Sequence, residues 1–297
     1  MLNKRLLSVS ILFAVIWAGF CSLWAKAANL NDDLRSKYGG KVLMLWNSYC
    51  GSDLKFNAQG ELLAGGRAGS WTICRDIRIG DVRIEDHKKG RLIITGQRLY
   101  LVHGSGEMNF RDVTEDEPDA NKKTKAYKDL LHSQQVSMEV QLPLNPDDAQ
   151  IQLAMDKVFY TSEQEFFEAL PDLWKCFFHT ELHNANCEES KPGESVTPET
   201  GAIERVGKRV KAPREIHTPD PSYTDEARMA KYQGTTVLTI VVDSTGDVKR
   251  IRVARPLGLG LDEQAAARIS TWKFTPAERE GKPVAVQVNV EVTFNLY

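Results

Sequence analysis

Residues 281–296 read GKPVAVQVNVEVTFNL. After the Gly281-Lys282-Pro283 turn, Val284, Val286, Val288, Val290, Val292, Phe294 and Leu296 share one parity. Ala285, Gln287, Asn289, Glu291, Thr293 and Asn295 share the other. Successive strand residues point to opposite faces, so this period of two predicts one long strand with a single covered face. At ~3.3 Å per residue it reaches roughly 40 Å.

Working outward, Thr235–Asp243 is a valine-rich strand and Ser244-Thr245-Gly246-Asp247 a turn. Val248–Arg255 returns, with Ile251 and Val253 on one face and Arg250 and Arg252 on the other. Ser222-x-x-Asp225 precedes a short helix ending before Gly234, and Asp262 is placed to cap a second helix running to Ile269. Trp272, Phe274 and Pro276 close that helix onto the sheet. The order helix, strand, strand, helix, strand predicts an α+β two-layer domain with a three-stranded antiparallel sheet.

These residues resemble the C-terminal domain of the TonB energy-transducer family. The likeness rests on Pro221-Ser222-Tyr223, Gly234 before its strand, Val242-Asp243-x-x-Gly246-x-Val248, Leu261-Asp262, Trp272-Lys273-Phe274-x-Pro276-Ala277 and Gly281-Lys282-Pro283-Val284. It covers residues 211–297. The resemblance implies an extended peptide of an outer-membrane receptor as partner and an inner-membrane motor of the ExbB–ExbD type as the source of force. A strand lacking one neighbour offers free N–H and C=O groups for such a peptide. The expected docking edge is Val284, Ala285, Val286, Gln287, Val288, Asn289, Val290, Glu291 and Val292, with Pro221 and Tyr223 as a second contact. A homodimer formed by pairing the last strands is left open.

The remainder of the 297 residues is of another character. From residue 41 to 102, short β-prone runs alternate with turns: Leu54–Phe56 and Glu61–Leu63 flank Asn57-Ala58-Gln59-Gly60, and Ile77–Ile79 and Val82–Ile84 flank Gly80-Asp81. Asp112–Lys128 is highly charged and reads as a solvated loop. Val136–Leu142 predicts a strand, Pro146–Val158 a helix capped by Asn145, and Ser162-x-x-Glu165 a capping box. Prolines 192, 198, 213, 219 and 221 mark a linker. The expected units are a β-rich region with a helical end at 28–187, a linker at 188–210 and the C-terminal domain at 211–297. Ala28–Glu204 holds 20 basic and 29 acidic residues, and Arg205–Tyr297 holds 15 and 11. Opposite signs support a boundary, and the whole-chain charge of -2 argues against nucleic-acid binding.

Lys4 and Arg5, the uncharged run Leu6–Trp24 and Ala25-Lys26-Ala27 form an export signal. The run is also near the length that spans a bilayer. Two fates remain: a soluble periplasmic chain after cleavage following Ala27, or an inner-membrane anchor at residues 6–24. Export permits disulfides, and Cys50–Cys74 and Cys176–Cys187 are the favoured local pairs. Cys176, His179, His183 and Cys187 are also acceptable zinc ligand types, but eleven residues of unbroken helix span about 16 Å, too far for one tetrahedral site. No nucleophile elbow, HExxH or phosphate loop occurs, and Gly258-Leu259-Gly260 lacks a dinucleotide fingerprint's third glycine. The sequence thus predicts a binding protein without cofactor rather than an enzyme.

Overall fold

The computed structural model describes residues 30–296 except 87–89, 105–109, 116–120, 161, 184–201 and 208. The export signal, Cys187 and most of the expected linker therefore lie outside the described residues.

The chain enters through helix α1 (residues 30–38) and strand β1 (Val42–Leu45). Then come β2 (Tyr49–Cys50), the hairpin of β3 (Asp53–Phe56) and β4 (Leu62–Ala64), β5 (Arg67–Ala68) and the single turn α2 (Trp71–Cys74). The long β6 (Asp76–Asp86) and β7 (Arg91–Arg98) lead to β8 (Leu101–His103) and β9 (Phe110–Asp112). Helix α3 (Lys125–Ser133), β10 (Gln135–Gln141), α4 (Asp148–Val158), β11 (Phe159–Tyr160), α5 (Glu163–Ala169) and α6 (Asp172–His183) complete this half. Its seven-stranded sheet has the order β11-β1-β6-β7-β10-β3-β4, antiparallel except where β3 meets β10.

In this half the structure differs from the local sequence pattern at three places. Gly80-Asp81 does not turn the chain: β6 runs through, and its register on β7 shifts between Ile79 and Asp81. Gly80 thus marks a bulge. Residues 112–128 are not one solvated loop. Asp112 is buried, accepts from the Gln134 amide at 2.9 Å and from the Thr114 hydroxyl at 2.9 Å, and α3 begins at Lys125. Helix α4 starts behind Asp147, which forms a full capping box with Gln150, while Asn145 takes a positive φ of 50°. The Ser162–Glu165 capping box does form.

The second half begins with β12 (Ile203–Arg205), β13 (Val210–Lys211) and β14 (Arg214–His217). Helix α7 (Asp225–Met229), β15 (Gly234–Val242), β16 (Val248–Arg255) and α8 (Leu261–Ile269) follow, then β17 (Lys273–Thr275), β18 (Ala277–Arg279) and β19 (Lys282–Phe294). The sheet order is β13-β18-β19-β15-β16, with β12 parallel on β19. It therefore has six strands rather than the three antiparallel ones expected, because β12, β13 and β18 are two- or three-residue segments too short to show a period. The fold is mixed α+β throughout. Helix α7 is capped by Thr224, not Ser222, and α8 by Gly260 in the left-handed region. Asp262 lies inside α8 and has another task, described below.

Apolar residues form two cores. One fills the first sheet, with Leu54, Phe56, Ile77, Val82, Ile94 and Met138 against Ile151 and Met155 of α4. The other crosses between the halves. Trp71, Tyr100, Trp174 and Phe178 from the first half pack in one cluster with Leu238, Ile240, Leu261 and Ile269 from the second. Burying each such side chain is worth about 1.5–3 kcal/mol, so the seam between the halves is a folding core rather than a loose contact.

Candidate functional site

Strand β19 has β15 along one side, from Gly234 opposite Phe294 to Val242 opposite Val286. On the other side β18 pairs with Lys282–Val284 and β12 runs parallel to Ala285–Gln287. From Val288 to Phe294 that outer side has no strand partner among the described residues. Beside this stretch lies a groove of about 560 Å³. One wall is Asn289–Asn295; the other is Glu215, Thr218, Asp220, Pro221, Tyr223 and Trp272.

The entry segment is held in place by two contacts. The Trp272 indole donates to the Pro219 carbonyl at 3.1 Å, and the Tyr223 ring stands edge-on to Phe294 with centroids 5.3 Å apart. The Tyr223 hydroxyl is shut off from solvent without a hydrogen-bond partner, and burial pushes its pKa upward. Of the residues expected to dock a peptide, Pro221, Tyr223, Asn289, Val290, Glu291 and Val292 meet in this groove. Val284, Ala285, Val286, Gln287 and Val288 do not line it, and the first four already carry β18 or β12 on their outer side. Nothing local marks residues 203–205 as a partner of β19: a three-residue apolar-charged segment beyond a proline-rich stretch carries too little periodicity. Nor does local sequence mark Glu215, Asp220 and Trp272 as groove residues, because only folding brings them beside the last strand.

The seam between the halves is built from polar contacts that close over long sequence separations. The Trp71 backbone N–H and the Trp174 indole both donate to Glu263 Oε1, at 2.9 and 3.2 Å. Glu263 Oε2 is sealed and unpartnered. Glu263 is half-buried as a residue, and burial followed by the neighbouring Asp262 charge pushes its pKa to about 7. Trp71 stacks on Trp174 at 5.2 Å, and the Arg75 guanidinium lies 3.6 Å from the Trp71 ring while pairing with Asp76.

Asp262 ties the loop before α8 to β15 instead of capping α8. Its carboxylate accepts from the Leu257 and Gly258 N–H groups at 2.9 and 2.7 Å and from the Thr236 hydroxyl at 2.6 Å. Gly258 and Gly260 make room for the first half. The Leu259 N–H donates to the Leu101 carbonyl at 2.8 Å, and the Gly260 N–H donates to the Thr72 hydroxyl at 2.8 Å. A Cβ on Gly258 would stand 2.4 Å from the Leu101 carbonyl oxygen.

Cys50 and Cys74 are joined, with Cα atoms 5.0 Å apart. The buried Arg98 guanidinium donates to the Cys74 and Gly51 carbonyls at 2.6 and 2.8 Å. Cys176 is also disulfide-bonded; Cys187, its expected partner, lies outside the described residues. A disulfide sulfur is not a thiolate, which removes Cys176 as a metal ligand. Among the described residues no group of three or more His, Cys, Asp or Glu could hold a metal. No helix among them is long and apolar enough to cross a membrane.

The second half is thus a small two-layer module presenting part of a strand edge beside an aromatic and acidic groove. The family model for the Gram-negative bacterial TonB protein C-terminal matches residues 219–296. Those residues are a TonB C-terminal domain. Protein tonB2 of Pseudomonas aeruginosa is 32% identical to this chain over 82 residues, 27% of this chain. The match spans 30% of that relative's length. The solution NMR structure of Pseudomonas aeruginosa TonB CTD is similar over 32% of this chain and 94% of that one, at 20% identity and a TM-score of 0.24.

Proposed function

We propose that this chain is a cell-envelope protein of energy-coupled transport whose C-terminal domain takes an extended peptide of an outer-membrane receptor by strand addition. The observation that carries the reading is the unpartnered side of β19 from Val288 to Phe294, lying beside a groove. Main-chain hydrogen bonds to an added strand supply affinity, and alternate side chains set its register. The docking edge is Val288–Val292 extended through Phe294, with Pro221 and Tyr223 as the opposing wall. Addition farther back, at Val284–Gln287, requires β18 and β12 to leave.

The proposal includes an exported β-rich unit at 28–187, a connecting segment at 188–210 and the TonB-like domain at 211–297. It places the chain in the periplasm, with force delivered by an ExbB–ExbD-type motor when residues 6–24 anchor it. A second reading, a periplasmic scaffold without energy coupling, is favoured by the core shared between the halves, which gives the first half a fixed partner.

A photo-crosslinking residue at Asn289 tests the site in intact cell envelopes. The expected product is a crosslink to an outer-membrane receptor, absent when the residue sits at Glu278 on β18. Equal crosslinking at both positions overturns the edge assignment. Fractionation and intact mass separate the readings: a chain retaining residues 1–27 in the inner membrane supports energy coupling, and a soluble chain starting at Ala28 supports the scaffold.

A further inference from the structure

The groove beside β19 is acidic in a one-sided way. Glu215, Asp220 and Glu291 line it, and no Lys, Arg or His does. None of the three carboxylates has an ion-pair partner among the described residues, although the domain as a whole is rich in Arg and Lys. Elsewhere in the second half, half-buried carboxylates pair: Glu204 with Arg279, Glu278 with Lys211, and Asp247 with Lys249 and Lys273. Glu226 and Glu280 also stand without an ion pair among the described residues, but neither shares a concave wall with other carboxylates, so what sets the groove apart is three acidic groups gathered with no basic one. Two aromatic residues, Tyr223 and Trp272, complete the wall, and the sealed Tyr223 hydroxyl lacks a partner.

Strand geometry turns this into a sequence pattern. Along β19, Val292 and Phe294 are buried and Val290 is half-buried, whereas Asn289, Glu291 and Thr293 are exposed. Residues directly opposite on a neighbouring strand share a face, and opposite charges there attract while like charges repel. An added strand therefore meets apolar neighbours at one parity and Glu291 at the other.

Resting on the strand-addition reading, we propose that the peptide taken by this groove is basic: an extended segment with apolar side chains at one parity and Lys or Arg at the other, one of them opposite Glu291 and facing Glu215 and Asp220 across the groove. Tyr223 and Trp272 then contact the aliphatic stem, a surface on which long basic side chains pack well. An acidic segment would place a like charge opposite Glu291 and against the same wall.

Three eight-residue peptides test this, sharing one Val-based parity and carrying Lys, Gln or Glu at the other, each titrated into the full-length chain by fluorescence anisotropy. With each exposed charge pair worth up to a few-fold in affinity, the Lys peptide is expected to bind about tenfold tighter than the Glu peptide at low salt. In ~0.5 M salt that ratio falls to about twofold, as screening shortens the range of the attraction. Glu291→Gln lowers the low-salt ratio to about threefold, and adding Glu215→Gln and Asp220→Asn removes it. Equal binding of all three peptides overturns the charge proposal and leaves strand addition standing. A Lys preference that survives the triple substitution also overturns it, since the attraction then belongs to the whole chain. If no peptide binds, or if amide shifts fall away from Val288–Phe294, both the basic-peptide proposal and the strand-addition reading fall.

Discussion

Ionising Glu263 should weaken the seam between the two halves. Its carboxylate is held by the Trp71 N–H and the Trp174 indole on one oxygen and by nothing on the other, and its pKa rises from an ordinary 4.5 to about 7. Such a shift, at 1.36 kcal/mol per unit, amounts to about 3 kcal/mol of differential stability. The sign follows from linkage: a carboxyl whose folded-state pKa is raised favours folding fully below its unfolded pKa, and that contribution is lost as pH rises through the folded pKa. The window is therefore pH 4.5 to 7. Between pH 5.5 and pH 8 the native protein should lose roughly 2 kcal/mol that a neutral side chain would keep. Glu263→Gln supplies that comparison, because its carbonyl oxygen can still accept from both donors. The assay is denaturant unfolding of both proteins, disulfides intact, at the two pH values. The difference between them should grow by roughly 2 kcal/mol in favour of the variant at pH 8, or about 4–8 °C in melting temperature for a chain of this size. Groups that titrate equally in both proteins cancel. A difference that stays constant, or that moves toward the native protein as pH rises, refutes the argument and means that water or a donor reaches Oε2.

Asp262→Ala leaves the Leu257 and Gly258 N–H groups without their acceptor, while the Thr236 hydroxyl can still donate to the Arg255 carbonyl at 3.1 Å; at about 1–3 kcal/mol per orphaned buried group, unfolding experiments should show a loss of about 2 kcal/mol or more. Replacing Cys50 and Cys74 by Ser opens a loop with a separation of 24 residues, and loop-closure entropy puts the cost near 3.5 kcal/mol, read as a lower denaturant midpoint. Gly258→Ala sets a Cβ against the Leu101 and Val102 backbone at a φ of 101°; hydrogen exchange at the His103 and Leu259 amides, which bond across the seam, should speed up by tenfold or more as that contact opens.

What the sequence determined by itself was whatever depends on neighbours a few residues apart. The alternation in residues 284–294 reports a strand because side-chain direction has a period of two, whatever the partner; that Ala285, of the other parity, is buried as well depends on the fold around it. Ser162 and Glu165 reveal a helix start because their bonds close within three residues. The Leu54–Phe56 and Glu61–Leu63 hairpin was legible for the same reason, as was the TonB-like order over residues 219–296, carried by short motifs at fixed spacing. Tertiary structure decided everything that depends on who stands opposite. Local signals could not tell the bulge at Gly80 from a turn, since the difference lies in whether β7 continues alongside. Glu263 reads as an ordinary acidic first-turn residue of a helix until Trp71, 192 positions earlier, covers it. Gly258 and Gly260 read as a loop, yet they serve as the surface on which Leu101 and Thr72 dock. The alternation predicts an open edge at Val284–Val292; β18 and β12 close its first part, because hydrogen-bonding groups along a strand edge are filled by whatever extended segment of the chain can reach them.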